Sequence, residues 1–508
     1  MNRRSFIRLT SLGVAGVSLV GCWDSKFTRP SLHFPIHVKS NMHIGHMIFK
    51  VLKRSEDVLL ETETLIVGGG IAGLATASSL GGRDFILAEM DEELGGTAGS
   101  ILIGGERITQ GAHYDLSYPG YYGEDGLKLL EKIGVTTFNK LKNEAQFIDT
   151  QYIISAEKEE ICLSPEGFQD SPIKSGANKE DLISLIKPYI GEMKMPTRLI
   201  DSKYHYLNNL SFFEYIDKYL THDPEFIRGI DYQMIDDYGA NCSHVSALAG
   251  IHYYACRDYY GQHRPQLFSP PEGNYYFIEK MANQIDKSKL HTSRLVYKIE
   301  KKGNKYESLI YDHKNDKVIK VKSNSIVYAG QKNALKFIMP KHSDLFSNNT
   351  YAPWVVLNFK FNTSIENAEK WQNDMVGFDP RLLGFVNAKV QASEQNILTM
   401  YMCYEKDNRK EVKSLHSEAD EIVSDAMGFL EQFFGDNSLR NTVEEVRIKL
   451  MGHAMPIPGK GYLFNDGNDV TRQENFFFAG VDNGRLPLMF EAMDSGIFAA
   501  KEVMNSSL

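Results

Sequence analysis

In the run Gly68-Gly69-Gly70-Ile71-Ala72-Gly73, residue types and spacing point most directly to chemistry. Glycines spaced as GxGxxG let the chain turn sharply, admit a ligand against bare backbone, and bring the next helix close to its strand. The amides left free at that helix N-terminus, with the positive end of its dipole, suit phosphate. Glu89 follows Gly68 by 21 positions (89 − 68), the separation at which an acid grips ribose hydroxyls. Phosphate and ribose together mean a dinucleotide, with Gly68, Gly70, Ile71, Ala72, Gly73 and Glu89 as expected contacts.

Other residues could act on a substrate. His113 carries an imidazole that titrates near neutrality and can move a proton or stabilise charge; it can equally be a structural histidine. Its neighbour Tyr114 would form an aromatic wall or simply pack in the core. Asp236 and Asp237, next to Tyr238, form a pair of carboxylates able to receive a cationic amine, since a buried charge needs a partner. The alternative is a polar cluster at a helix end or turn. Tyr253-Tyr254 and Tyr259-Tyr260 could line the same cavity, and His453 in GHAMPIPG is a further candidate. His33, His37, His43 and His46 fit no ligand spacing, so no metal is expected.

These groups need elements to position them. TLIVGGG reads as a buried strand and tight turn, IAGLATASSL as a helix, and DFILAE as a second buried strand, a βαβ unit of roughly 30 residues. The middle of the chain, about 120–270, is mainly helical in pattern and rich in tyrosine. A β-meander follows and closes with a buried strand over 325–330. YAPWVVLNFKF and NILTMYMCYE alternate like strands of another sheet, a polar amphipathic helix follows from about Ser417, and the tail is strand, glycine turn and helix. The expected organisation is a signal over 1–22, a tether over 23–60, and dinucleotide-binding parts at 61–118, 269–335 and 446–508. A second domain would be inserted as 119–268 (helical) and 336–445.

Composition agrees with a large globular protein. At 42% hydrophobic and 24% charged, the 508 residues are ordinary and long enough for a large core. A net charge of −9, with no basic run after the first residues, disfavours nucleic acid as a partner. Cys162, Cys242, Cys256 and Cys403 are widely spaced, and their pairing is open.

The segment MDEELGGTAGS, the strand end Phe478-Ala479-Gly480 with Asp482, and Ala492-Met493-Asp494-Ser495-Gly496 resemble the flavin amine oxidase and phytoene desaturase superfamily. The resemblance implies an α/β fold, a discontinuous glutathione-reductase-type FAD-binding Rossmann domain with an inserted α+β substrate domain. It implies FAD as the cofactor. Gly95, Gly96 and Thr97 would then continue the pyrophosphate site, and Val296 would reach the adenine. Gly480, Asp482, the backbone of Met489 and Ala492 would hold the ribityl chain and pyrimidine edge. Gly111 and His113 would pass beside the ring system, and His453 would lie over it. Two departures stand out: the arginine often found just after the GG pair is absent, and Glu491 replaces a glycine of many members. Many amine oxidases also place a lysine near the flavin; Lys460 is in the right region, but no motif assigns it. The blocks GAHYDLSYPG, DDYGANCSHVSALAGIHYYACR, PPEGNYYF, YAPWVV and GHAMPIPG resemble a bacterial group of exported, amine-oxidase-like flavoproteins.

The first residues, MNRRSFIRLTSLGVAGVSLVGC, have a charged head, a short apolar run and small residues, the pattern of a signal peptide. Arg3-Arg4 resembles the twin-arginine export motif, and Leu19-Val20-Gly21-Cys22 a lipoprotein box with Cys22 as lipid acceptor. Twin-arginine export carries folded cargo, which suits a cofactor loaded before export. The expectation is an exported, membrane-anchored FAD-dependent oxidoreductase. It would take hydride from a small amine and pass electrons to oxygen or a membrane carrier, with the twin-arginine translocase as a transient partner. Alternatives are a desaturase or isomerase on a lipid-like substrate, and a non-catalytic flavin-binding protein.

Overall fold

The computed structural model describes residues 32–51, 55–113, 123–256 and 267–506. From Phe34 onward the chain is one compact unit. Its first sheet is buried on both faces where Leu65–Val67 lies between Phe85–Ala88 and Ile326–Tyr328, as parallel strands require. Val58–Val67 lies between Phe85–Ala88 on one side and Lys317–Tyr328 on the other, both parallel to it. The two ends are extended by Leu290–His291 beside Phe85–Ala88 and by Phe476–Phe478 beside Ile326–Tyr328. The first half of Lys317–Tyr328 stays paired with Val58–Thr62 on one edge and on the other pairs antiparallel with Lys305–Asp312, which pairs in turn with Arg294–Lys302. This is the expected Rossmann layer with its meander.

The helix Ile71–Leu80 and the C-terminal helix Met489–Ser506 cross in close contact. A Cβ added at Gly496 would lie 2.2 Å from the Ala72 carbonyl oxygen, and the Thr76 hydroxyl donates to the Gly496 carbonyl at 3.0 Å. The glycine of the C-terminal signature is therefore a helix-crossing residue that fixes the first and last cofactor segments against each other.

The second sheet has eight strands in the order Ile36–Lys39, Val443–Pro456, Tyr351–Phe361, Ile397–Cys403, Leu382–Asn387, Gln372–Met375, Glu160–Ser164 and Gly167–Gln169. It corrects three expectations. Part of the tether is a strand, because Ile36–Lys39 pairs in parallel with residues 446–449. The helical part contributes strands as well as helices, since Glu160–Ser164 joins Gln372–Met375. Finally, the single strand Val443–Pro456 runs across the boundary expected at 445/446. All three errors concern pairings between segments far apart in sequence, which a short window of residues does not display.

The helices of this domain have local causes. Ser211 and Glu214 form a capping box at the start of Phe212–Tyr219. Asp223 caps Pro224–Tyr238 by accepting from the Phe226 amide, Pro224 stands in its first turn, and Gly239 ends it in a left-handed conformation (φ 73°). That stop signal puts Asp236 and Asp237 in the last turn. Cys162, Cys242, Cys256 and Cys403 are buried, and no disulfide joins them.

Candidate active site

The glycines of the first motif do different work. Gly68 has φ +107°, a conformation that favours glycine, and a Cβ on Gly73 would sit 1.9 Å from the Gly68 carbonyl oxygen. Both are required by the fold itself. Gly70 is not: it has ordinary extended backbone (φ −79°, ψ −172°), and an added Cβ would meet nothing nearer than the Gly95 oxygen at 3.7 Å. It caps the helix Ile71–Leu80 and faces the second turn across a Gly70–Gly95 bridge. The open space that Gly70 preserves, between two glycine turns and a helix N-terminus, suits the diphosphate of a dinucleotide.

Glu89 sits at the end of its strand with its carboxylate 8% exposed. One oxygen accepts from the Gly69 amide at 2.6 Å and the other from the Asp91 amide at 2.7 Å. Desolvation raises its pKa while the two amides oppose the rise. The carboxylate thus ties the glycine loop to its own strand and has lone pairs left for further donors. The chain then runs back along it, with the Arg294 amide donating to the Glu89 carbonyl at 2.7 Å. This brings Leu295-Val296 alongside Glu89, Val296 itself being buried at a β-bulge.

From the second turn the site opens into a cavity that is partly open to solvent. Thr97, Gly111, His113, Asp236, Asp237 and Met489 all border it. Gly111 is forced by contact, since a Cβ there would lie 1.8 Å from the Thr97 carbonyl oxygen. Met489 opens the C-terminal helix, so the amides at that helix start border the cavity too. Gly480 has φ +115° and donates its amide to Ser495 at 3.1 Å, binding the strand end to the same helix. Ala492 is half-buried on the first turn and packs against the core cluster.

The match that decides kinship covers residues 71–504, to a family described as flavin containing amine oxidoreductase. The chain belongs to that family. Solved structures agree on the fold. A candidate protoporphyrinogen oxidase from Exiguobacterium sp. 255-15 superposes with TM-score 0.62 at 14% identity, covering 89% of this chain and 99% of that one. Putrescine oxidase with bound putrescine gives 0.61 at 13% identity, over 88% and 100%. Cyclohexylamine oxidase from Brevibacterium oxydans IH-35A gives 0.62 at 13%, over 88% and 99%. A search of curated proteins returns no match. As a flavin amine oxidoreductase, the protein is an FAD-dependent oxidoreductase, and the cradle around Gly70, Gly95 and Glu89 fits that cofactor.

Several expected site residues are placed elsewhere. Asp482 does not border the cavity. One carboxylate oxygen pairs with Lys332 Nζ at 3.0 Å, and the other accepts from the Lys332 amide at 2.8 Å and the Tyr351 hydroxyl at 3.0 Å. Val481, directly after Ala479-Gly480, borders the cavity, while Asp482 lies in the turn that follows and is held by Lys332 and Tyr351. His453 is also outside: its ring stacks edge-on against Tyr351, its Nε2 meets Arg409 at 2.6 Å, and burial and Arg409 lower its pKa to about 4. Lys460 lies on the surface, paired with Glu214 at 3.3 Å. Tyr253 and Tyr254 pack against each other at 4.8 Å, and the Tyr254 hydroxyl donates to Gln233. Tyr114, Tyr259 and Tyr260 lie outside the described residues.

His113 stands 4.7 Å from the Tyr401 ring and 5.7 Å from Trp371. Burial among these rings lowers its pKa far below neutrality. The neutral imidazole forms part of the cavity wall beside these rings.

Sequence reasoning missed Trp354 and Tyr401, the main aromatic walls. Trp354 and Val356 alternate on one strand and Val356 pairs with Tyr401, so all three share a face. The alternation was visible, but with Tyr351–Phe361 buried on nearly every position, nothing marked which face looked into the cavity. Glu491 is explained by a buried charge cluster. It accepts from the Thr197 amide at 2.7 Å and lies 3.5 Å from Arg485, which also pairs with Asp494 at 3.3 Å; Asp494 in turn holds Arg198 at 2.8 Å. Two cations balance two anions, as burial requires.

Removing the Glu89 carboxylate frees the Gly69 amide and deletes the expected ribose acceptor. Charge-assisted hydrogen bonds of this kind contribute roughly 1.5–3 kcal/mol, so Glu89→Ala is expected to weaken FAD by about ten-fold or more. Titration of deflavinated protein checks this; unchanged affinity would place the ribose contact elsewhere.

Proposed function

We propose that this flavin amine oxidoreductase oxidises a small cationic amine. The observation carrying this reading is that Asp236 and Asp237 border the same cavity as Gly111 and Met489. Asp237 is 8% exposed, and both acids sit at the carbonyl end of a helix whose last turn holds no basic residue. Helix dipole and carboxylates therefore act with the same sign. Asp236 also acts on buried Asp374, whose pKa desolvation first, then Glu160 and Asp236, raise well above its ordinary value. Such a site favours a cation and can take the proton that an ammonium must release before its C–H bond is oxidised.

FAD, when bound, supplies the hydride acceptor. The chain's part is to orient the amine with the carboxylates, wall it with His113, Trp354 and Tyr401, and exclude water. Trp354 has a buried Nε1 with no hydrogen-bond partner among the described residues, a donor suited to a polar substrate atom. A second reading, a desaturase or isomerase on an apolar substrate, draws on the methionines and leucine that complete the walls, Met195, Met451, Met455 and Leu488. Anaerobic bleaching of the flavin separates the two: amines should reduce it and apolar lipids should not.

We also propose that the protein acts outside the cytoplasm, anchored by lipid at Cys22 and reoxidised by oxygen or a membrane carrier. Arg3, Arg4 and Cys22 lie outside the described residues, so this rests on their sequence pattern. Replacing Arg3 and Arg4 with lysine is expected to hold folded, yellow protein in the cytoplasm, and Cys22→Ala to release exported protein from the membrane. Cell fractionation reads both, and normal export of the double-lysine form would defeat the proposal.

A further inference from the structure

A buried cation beside the second glycine turn has no role so far. Lys449 lies in Val443–Pro456, directly opposite Val356. Residues directly opposite in antiparallel strands share a face, so Lys449 is carried on the face that presents Val356, Tyr401 and Met451 to the cavity. Its side chain is 8% exposed and ends at the turn that holds Gly95 and Gly96. Nζ is 3.5 Å from the Gly96 carbonyl oxygen and fills the volume a Gly99 side chain would need, 2.6 Å from an added Cβ.

No carboxylate of the described residues forms an ion pair with this ammonium. The acids whose charge reaches it, Glu89, Asp91 and Glu93, are engaged elsewhere. Glu89 holds two amides, Asp91 holds Asn41 at 2.7 Å and Lys39 at 3.8 Å, and Glu93 holds Arg107 at 3.4 Å. A second cation, Lys39, is its parallel-strand neighbour. A buried ammonium with one carbonyl and a like charge beside it is costly unless an anion completes it. The nearby turn has no arginine after Gly96; Thr97 stands there.

We propose that Lys449 is the cationic partner of the cofactor's diphosphate, supplied from the substrate-domain sheet instead of from the turn itself. The experiment uses deflavinated full-length protein and two probes, ADP and adenosine, measured by calorimetry. Lys449→Met is expected to weaken ADP by about ten-fold or more while leaving adenosine within about two-fold, because only ADP carries the diphosphate. Lys449→Arg keeps the charge and should keep the preference for ADP. If the methionine variant does not fold, Gly99→Ala serves: Gly99 has ordinary extended backbone (φ −71°), and the added methyl displaces the flexible end of Lys449. It too should cost ADP and spare adenosine. Equal weakening of both probes, or no weakening, would overturn the proposal and leave Lys449 as a brace for the Gly96 carbonyl. Wild-type protein that binds neither ADP nor FAD would instead overturn the cofactor site as a whole.

Discussion

Replacing Gly70 with valine is expected to give folded, colourless protein. The fold tolerates a side chain at this position, because an added Cβ meets only Gly95 and Gly96 backbone at 3.7 and 4.0 Å and the backbone is ordinary extended chain. The cofactor does not tolerate it, because the branched side chain enters the space between the two turns that the diphosphate must occupy. Loading should fall below detection when flavin released on denaturation is measured, while circular dichroism and solubility stay near wild type. The contrast is Gly73→Val, where the side chain would collide with the Gly68 carbonyl 1.9 Å away and folding itself should fail. A yellow Gly70→Val protein would show that the diphosphate does not lie between these turns.

Asp237→Asn, and separately Asp236→Asn, is expected to slow flavin reduction by amines about 10- to 100-fold, a loss of roughly 1.4–2.8 kcal/mol, with FAD binding unchanged. Asparagine keeps the shape and removes the charge. Only a cationic substrate should notice, so any neutral substrate serves as the internal control. Stopped-flow reduction under anaerobic conditions measures the step directly, free of the reoxidation half-reaction. Equal slowing of charged and neutral substrates would point to a packing role at the end of Pro224–Tyr238. No slowing in either variant would leave the apolar-substrate reading in possession of the cavity.

Other residues show how differently the two levels of information behave. Gly68, Gly70, Gly73 and Glu89 are close in sequence and their spacing reports a local unit, so their arrangement could be read before any fold was known. Gly480 and Met489 could also be read, through resemblance, because strand end, turn and helix start are contiguous. Asp482 could not: it lies in a turn, and its partners Lys332 and Tyr351 come from segments more than 100 residues away, which hold it off the cavity. Lys449 and Trp354 were invisible for a related reason. A strand states which residues share a face, but only its partners decide what that face looks at.

The sequence by itself marked the cofactor end: a dinucleotide loop, an acid at the spacing expected for ribose, a flavin-type C-terminal segment and the acidic pair as a candidate for charge. It could do so because each is written in a few adjacent residues under strict steric limits. The tertiary structure alone decided which of these residues meet. It brought Asp236 and Asp237 to the same cavity as Met489 across about half the chain, moved Asp482 and His453 out of it, and set Lys449 against Gly96. Those outcomes depend on long-range sheet registers and on one helix crossing at Gly496, where contact distances, not local propensity, choose the partner.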